Sequence, residues 1–146
     1  MACVPLSYPP EWKAVVGRDF LLGIPVIGPQ VAVYKAVCAQ LAQRGPECWR
    51  EWGSSEPRSS LARFASAALG EAALWPNAIF VPEDPFSLVS FNHRATAIDG
   101  LEVQGALRSI EDHVGNRLAR KVWERLFLGS FGAAIDHLLA ESRNGA

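Results

Sequence analysis

The stretch that decides the fold is residues 99–115, DGLEVQGALRSIEDHVG. Asp99 is a residue type that caps helix N-termini, and Glu102, three residues later, completes a capping box. Apolar residues then recur at spacings of four, three and four, and Gly115 is typical of the left-handed residue that ends a helix. The pattern predicts a helix over residues 99–115 with a buried stripe of Val103, Leu107, Ile110 and Val114.

Two segments precede this helix. Ser59 or Ser60 is placed to cap a helix whose apolar residues follow the spacing of one buried face. Three prolines then interrupt residues 75–92, which predicts a long irregular loop with short extended or single-turn pieces over residues 78–81 and 86–91. The predicted helix face is Leu61, Phe64, Ala65, Ala68, Leu69 and Ala72, and the prolines are Pro76, Pro82 and Pro85.

Two amphipathic segments follow the central helix. Residues 116–127 and residues from about 131 to 142 each place apolar side chains on one face. The predicted inward residues are Leu118, Val122 and Leu126 in the first segment and Phe131, Ile135, Leu138 and Leu139 in the second. In the first segment, Arg117, Lys121 and Arg125 share a different face, which is either solvated surface or a site for an acidic partner.

The N-terminal part is strongly apolar. Residues 20–37, FLLGIPVIGPQVAVYKAV, carry one charge, but Pro25 and Pro29 argue against a straight membrane span of about 20 residues. We expect a buried or interfacial segment with a helix from Pro29, which suits a first helical position. The linker GSSEPRSS then predicts a boundary between an N-terminal apolar extension, residues 1–57, and a helical domain, residues 58–146.

Composition excludes some classes of function. The 146 residues hold 14 Lys plus Arg against 15 Asp plus Glu, so no charge excess favours nucleic acid. Cys3, Cys38 and Cys48 form no C-x-x-C pair, and the N-terminus lacks the pattern of a secretory leader. We therefore expect reduced thiols in a cytoplasmic protein.

Metal and acid-base sites have weak support. His93, His113 and His137 lack the spacing of metal ligands, so no metal site is expected. Glu83 and Asp84 are paired carboxylates that suit acid-base or metal chemistry, although an exposed turn explains them more simply.

Residues 58–143 resemble an acyl carrier protein in layout, with a helix, a long loop, a central helix, a short helix and a final helix. The run DGLEVQGALRSIEDHVG resembles the carrier stretch that begins Asp-Ser-Leu, with Asp99 and Leu101 in the places of its aspartate and leucine. GSFGAAIDHLLAE resembles the closing helix of the family. The resemblance implies an acyl-carrier-like helical bundle with a long irregular loop. Together with the apolar N-terminal helical extension predicted before residue 58, this gives a mainly α fold.

The resemblance fails at the attachment position. Carriers bear a phosphopantetheine arm on the serine after the aspartate, whereas this chain has Gly100, which has no hydroxyl to form the phosphodiester. We therefore expect no cofactor and no enzymatic activity, and interpret the chain as a protein-interaction or structural module. One alternative is a genuine carrier modified at Ser87, in the pair Ser87-Leu88; another is a small-ligand binder or unrecognised enzyme using the N-terminal segment and the long loop.

The predicted partner is another protein. Two further hypotheses for the apolar N-terminal segment are membrane contact and pairing with a second copy of the chain. The predicted partner-binding residues are Asp99, Gly100, Leu101, Arg108, Arg117, Lys121 and Arg125.

Overall fold

The protein is mainly helical, as the sequence predicts. The structure, a computed structural model, describes residues 3–13, 20–21, 24–25, 28–92 and 101–144. A 3-10 helix, Pro46–Trp52, links α1 to α2. The α-helices are α1 Gly28–Leu41, α2 Glu56–Ala73, α3 Phe86–Val89, α4 Leu101–Val114, α5 Arg120–Phe127 and α6 Phe131–Asn144.

The predicted buried face of the central helix and its predicted end at Gly115 are both confirmed in α4. Val103, Leu107 and Ile110 are buried, and Val114 is half-buried. Gly115 has φ of 79°, and the N–H groups of residues 115 and 116 donate to the carbonyl of Glu111 at 2.9 and 3.1 Å, which closes the last turn. The predicted cap at position 99 lies outside the described residues.

Helix α2 starts earlier and is rotated relative to the prediction. It begins at Glu56, so Ser59 and Ser60 lie inside it and do not cap it. Phe64, predicted to face the core, is 36% exposed and stacks on His113 with ring centroids 3.9 Å apart. The face actually buried is wide because α2 packs against both α4 and α6, and it consists of Leu61, Ala62, Ala65, Ser66, Leu69, Gly70 and Ala73.

The turn between α4 and α5 shortens the predicted helix over residues 116–127, since α5 begins only at Arg120. The carboxylate of Glu111 holds this turn. It accepts the backbone N–H of Leu118 at 2.8 Å and the indole N–H of Trp123 at 3.1 Å. A buried carboxylate thus satisfies a backbone donor of the turn, and its bond to Trp123 fixes α5 against α4.

The helix predicted to start at Pro29 is confirmed as α1, but the short strands before it were not predicted. Phe20–Leu21 (β1) and Ile24–Pro25 (β2) form a short antiparallel ladder, with residue 20 opposite residue 25, and α1 begins at Gly28. A proline inside a helix removes a backbone donor and clashes with the preceding turn, which favours extended backbone at residue 25. Within the described ranges, no helix is both long enough and apolar enough to cross a membrane.

A buried ion pair holds the N-terminal arm, residues 3–13, to the long loop. The Arg44 guanidinium donates to both carboxylate oxygens of Asp84 at 2.7 and 2.8 Å, and the two side chains are 1% and 0% exposed. Asp84 also accepts the backbone N–H groups of Leu6 and Val81, each at 2.8 Å. The prediction of an exposed turn is therefore wrong for Asp84, although it holds for Glu83, which is exposed.

Arg44 supplies further bonds from its buried position. Its guanidinium donates to the backbone carbonyls of Val4 at 2.7 Å and Ile79 at 3.0 Å. The pair thus joins α1, the arm and the long loop at one point. The arm is consequently part of the folded core, and Leu6 is only 4% exposed.

The expectation of reduced thiols is wrong for two of the three cysteines. Cys3 and Cys48 form a disulfide across a sequence separation of 45 residues, with Cα atoms 5.5 Å apart. The arm brings Cys3 to the 3-10 helix, a proximity that no spacing in the sequence indicates. The argument for a cytoplasmic location rested on reduced thiols and loses that support.

Gly132 permits a close contact between α6 and the long loop. Its N–H donates to the carbonyl of Pro82 at 2.8 Å, and a Cβ at this position would lie 2.9 Å from the same oxygen. A Cβ at Gly105, on the exposed side of α4, would meet no atom within 4 Å. The two glycines therefore differ: one is required by packing and the other is not.

Candidate functional site

An open groove runs between α4 and α5. One part, of about 400 Å³, lies where α3 and the residues after it meet α4. The second part, of about 580 Å³, continues along α4 and α5. Gln104, Leu107 and Phe127 line both parts, so they form one continuous surface, which we name the α4–α5 groove.

The floor of the groove is apolar and belongs to the core. Phe91, Val103, Leu107 and Trp123 line it while retaining only 7–9% exposure. All four are members of the main hydrophobic cluster. Because close-packed cores resist rearrangement, the floor is a preformed surface for apolar side chains.

The polar groups at the α3 end have partners. Ser90 Oγ donates to the Phe86 carbonyl at 2.8 Å, and Asn92 Nδ2 donates to Glu102 Oε2 at 3.0 Å. The capping box predicted for Glu102 involves residue 99, which lies outside the described residues. This end of the groove therefore presents few free polar groups that would converge on a small ligand.

The N-terminal arm borders the same end of the groove. Ser87 Oγ lies 2.8 Å from the Tyr8 hydroxyl, and the Tyr8 and Trp12 rings are 5.2 Å apart. Trp12 packs edge-on against Phe91 at 5.5 Å. The hydroxyl of Ser87, the alternative attachment site, is thus hydrogen-bonded to the arm and does not stand free.

Most, but not all, of the charged side chains that line the second part of the groove, between α4 and α5, have a counter-charge or a hydrogen-bond donor. The carboxylate of Glu111 is occupied by the turn that follows α4, and Arg120 Nε pairs with Glu124 Oε1 at 3.1 Å. Arg108 is exposed, lines the groove and forms no ion pair with any residue in the described ranges. The one charge on this lining without a described counter-charge is therefore positive.

The predicted partner-binding residues are placed as follows. Asp99 and Gly100 lie outside the described residues, and of Leu101 only the backbone is described, at the start of α4. Arg108 lies on the groove. Arg117 instead pairs with Asp112 at 3.0 Å and is half exposed.

Lys121 and Arg125 are exposed but do not line the groove. Each follows a groove-lining residue, Arg120 or Glu124, by one position. Because successive helical residues are separated by about 100°, their side chains project to another side of α5. The predicted basic cluster therefore divides between two surfaces.

The aromatic floor of the groove was not predicted from the sequence. Trp123 and Phe127 follow the same helical spacing as Arg120 and Glu124, so the pattern did contain the groove face of α5. Phe91 had no such signal, since it lies in an irregular segment and reaches the groove only through the tertiary fold.

Other candidate chemistry gains little from the geometry. Among the described residues, no three His, Cys, Asp or Glu side chains are grouped to hold a metal ion. Cys38 is a free, half-buried cysteine. Burial raises the pKa of its thiol, and a hydrogen bond with Tyr34 partly opposes this rise. His93 lies outside the described residues.

Comparison with known proteins identifies no relative. No protein-family model matches the chain, and no curated protein or solved structure matches it.

Proposed function

We propose that the chain is a non-catalytic protein-interaction module that binds a segment of a partner protein in the α4–α5 groove. The observation that carries this proposal is the groove itself, with an apolar, preformed floor that is open to solvent. Partner proteins commonly bind such surfaces by burying a few apolar side chains.

The acyl-carrier resemblance supports the same function. Helices α2, α4, α5 and α6, with the long loop after α2, follow the order of elements that the resemblance implies. The glycine at position 100 has no hydroxyl for a phosphopantetheine arm. We propose that the chain has a carrier-like fold without the attachment serine and uses one of its surfaces for protein contact.

Selection from a random peptide library against the full chain tests the proposal. The groove is blocked by Gln104→Trp, because Gln104 is exposed and lines both parts of the groove. Gln43→Trp is the matched control, since Gln43 is exposed in the turn after α1. Circular dichroism establishes that both variants keep the fold.

We expect the selected peptides to lose at least about tenfold in affinity with Gln104→Trp, since a bulky side chain in the groove removes about 1.4 kcal/mol or more of binding energy. The Gln43→Trp variant should bind them as the wild type does. Peptides that bind both variants equally, or a selection that yields no binder, would show that the groove is not an interaction site.

A further inference from the structure

The length of the groove and the nature of its walls define the shape of the bound segment. Its lining on α4 runs from Val103 to Glu111, nine residues, whose Cα atoms span about 12 Å at a helical rise of 1.5 Å per residue. This length accommodates roughly two turns of a helix, with apolar residues at i, i+3 or i+4, and i+7.

The two helical walls of the groove offer an extended segment no backbone groups to pair with. Both long walls are α-helices, whose backbone N–H and C=O groups are bonded within each helix. A segment that adds as a strand needs an open sheet edge, whereas a helix satisfies its own backbone. The walls therefore favour a helical partner segment.

The charges on the lining define the flanks of that segment. The two carboxylates, Glu111 and Glu124, already have counter-charges or donors, whereas Arg108 has no ion pair with any described residue. Lys121 and Arg125, about one third of a helical turn further round α5, add positive potential beside the groove. An acidic segment is thus attracted to this rim, and a basic one is repelled.

We infer that the α4–α5 groove binds an amphipathic helix with an apolar stripe and acidic flanking residues, and that Arg108 selects for the acidic flanks. This inference rests on the proposed function, and it adds the chemistry of the partner. The apolar stripe contacts Leu107 and Phe127, and a carboxylate on the flank pairs with Arg108 at the edge of the groove.

Three stapled helical peptides test the inference on the full chain. They share one apolar stripe and carry Glu, Gln or Lys at the flanking positions. Fluorescence anisotropy gives Kd for each at low and high salt. The variant Arg108→Glu reverses the charge at the groove, and Arg50→Glu makes the same change at an exposed residue of the 3-10 helix as a control.

We expect the Glu peptide to bind about fivefold more tightly than the Gln peptide, as one or two exposed ion pairs provide, with the Lys peptide weakest. The preference should shrink at high salt because the pairs are screened. Arg108→Glu should invert the order, and Arg50→Glu should leave it unchanged.

Equal binding of the three peptides, or tightest binding of the Lys peptide, overturns the acidic-partner inference. If the Gln peptide still binds the wild type and loses affinity for the Gln104→Trp variant, the interaction function stands without the charge preference. If no peptide binds and library selection also finds no groove binder, both the inference and the proposed function are overturned.

Discussion

Replacing Asp84 by alanine tests the buried ion pair that joins the arm, α1 and the long loop. The substitution leaves the Arg44 guanidinium, whose side chain is 1% exposed, without its counter-ion. Breaking a buried pair in this way typically costs about 3–5 kcal/mol, because an uncompensated charge remains in the interior. The N–H groups of Leu6 and Val81 also lose their acceptor, so we expect a loss of at least about 3 kcal/mol.

This loss is large for a single substitution. Domains are typically stable by about 5–15 kcal/mol, so Asp84→Ala should remove a fifth or more of the free energy of unfolding. At about 3 °C per kcal/mol for a chain of this size, Tm should fall by roughly 9 °C or more. Urea unfolding followed by far-ultraviolet circular dichroism gives the free energy, and an unchanged m-value establishes that the variant unfolds from a comparably compact state.

The neighbouring carboxylate provides the control. Glu83→Ala removes an exposed charge one residue away and should change stability by less than about 0.5 kcal/mol. The double variant Arg44→Met/Asp84→Ala should be less destabilised than the sum of the single variants by at least about 1 kcal/mol, because neither charge is then left alone. Strict additivity, or an effect of Asp84→Ala as small as that of Glu83→Ala, would refute the reasoning.

Three further predictions concern the glycines and the thiols. Gly105→Ala should stabilise the protein by about 0.5–1 kcal/mol in urea unfolding. Gly132→Ala should destabilise it by about 1–3 kcal/mol, because the added Cβ contacts the Pro82 carbonyl. A change of the same sign in both variants would contradict the close contact at Gly132 and the open space at Gly105. Cys3→Ser and Cys48→Ser should each lower stability, by at most about 4 kcal/mol from chain entropy, and a reductant should lower the wild type equally while leaving both variants unchanged. The third prediction concerns Cys38 in the double variant Cys3→Ser/Cys48→Ser, where it is the remaining cysteine. Because the thiolate is the reactive form and burial raises the pKa of Cys38, iodoacetamide at pH 8 should modify the folded variant at least about tenfold more slowly than the urea-unfolded variant. Equal rates would contradict the burial of Cys38.

Part of the candidate site follows from helix periodicity. The spacing of apolar residues over residues 99–115 predicts that Leu107 faces inward, and Arg108, one position later, then lies near the edge of that face. The groove itself did not follow, because it exists only where α4, α5 and the segment after α3 meet. Phe64 is an opposite case, in which the sequence predicts a buried residue that the tertiary structure leaves exposed. Its spacing in α2 predicts burial, but the helices packed against α2 leave it at the surface beside His113.

The sequence by itself determined the local elements, since caps, stops and apolar periodicity act between residues a few positions apart. Helix α4 with its end at Gly115, the mainly helical class and the last helix belong to this part. Only the tertiary structure decided which distant residues meet. The pairs Arg44 with Asp84 and Cys3 with Cys48 are separated by 40 and 45 residues. Such contacts depend on how the whole chain folds: a charge that becomes buried requires a counter-ion, and two cysteines form a disulfide only where the fold brings them close together, and no local pattern encodes either condition.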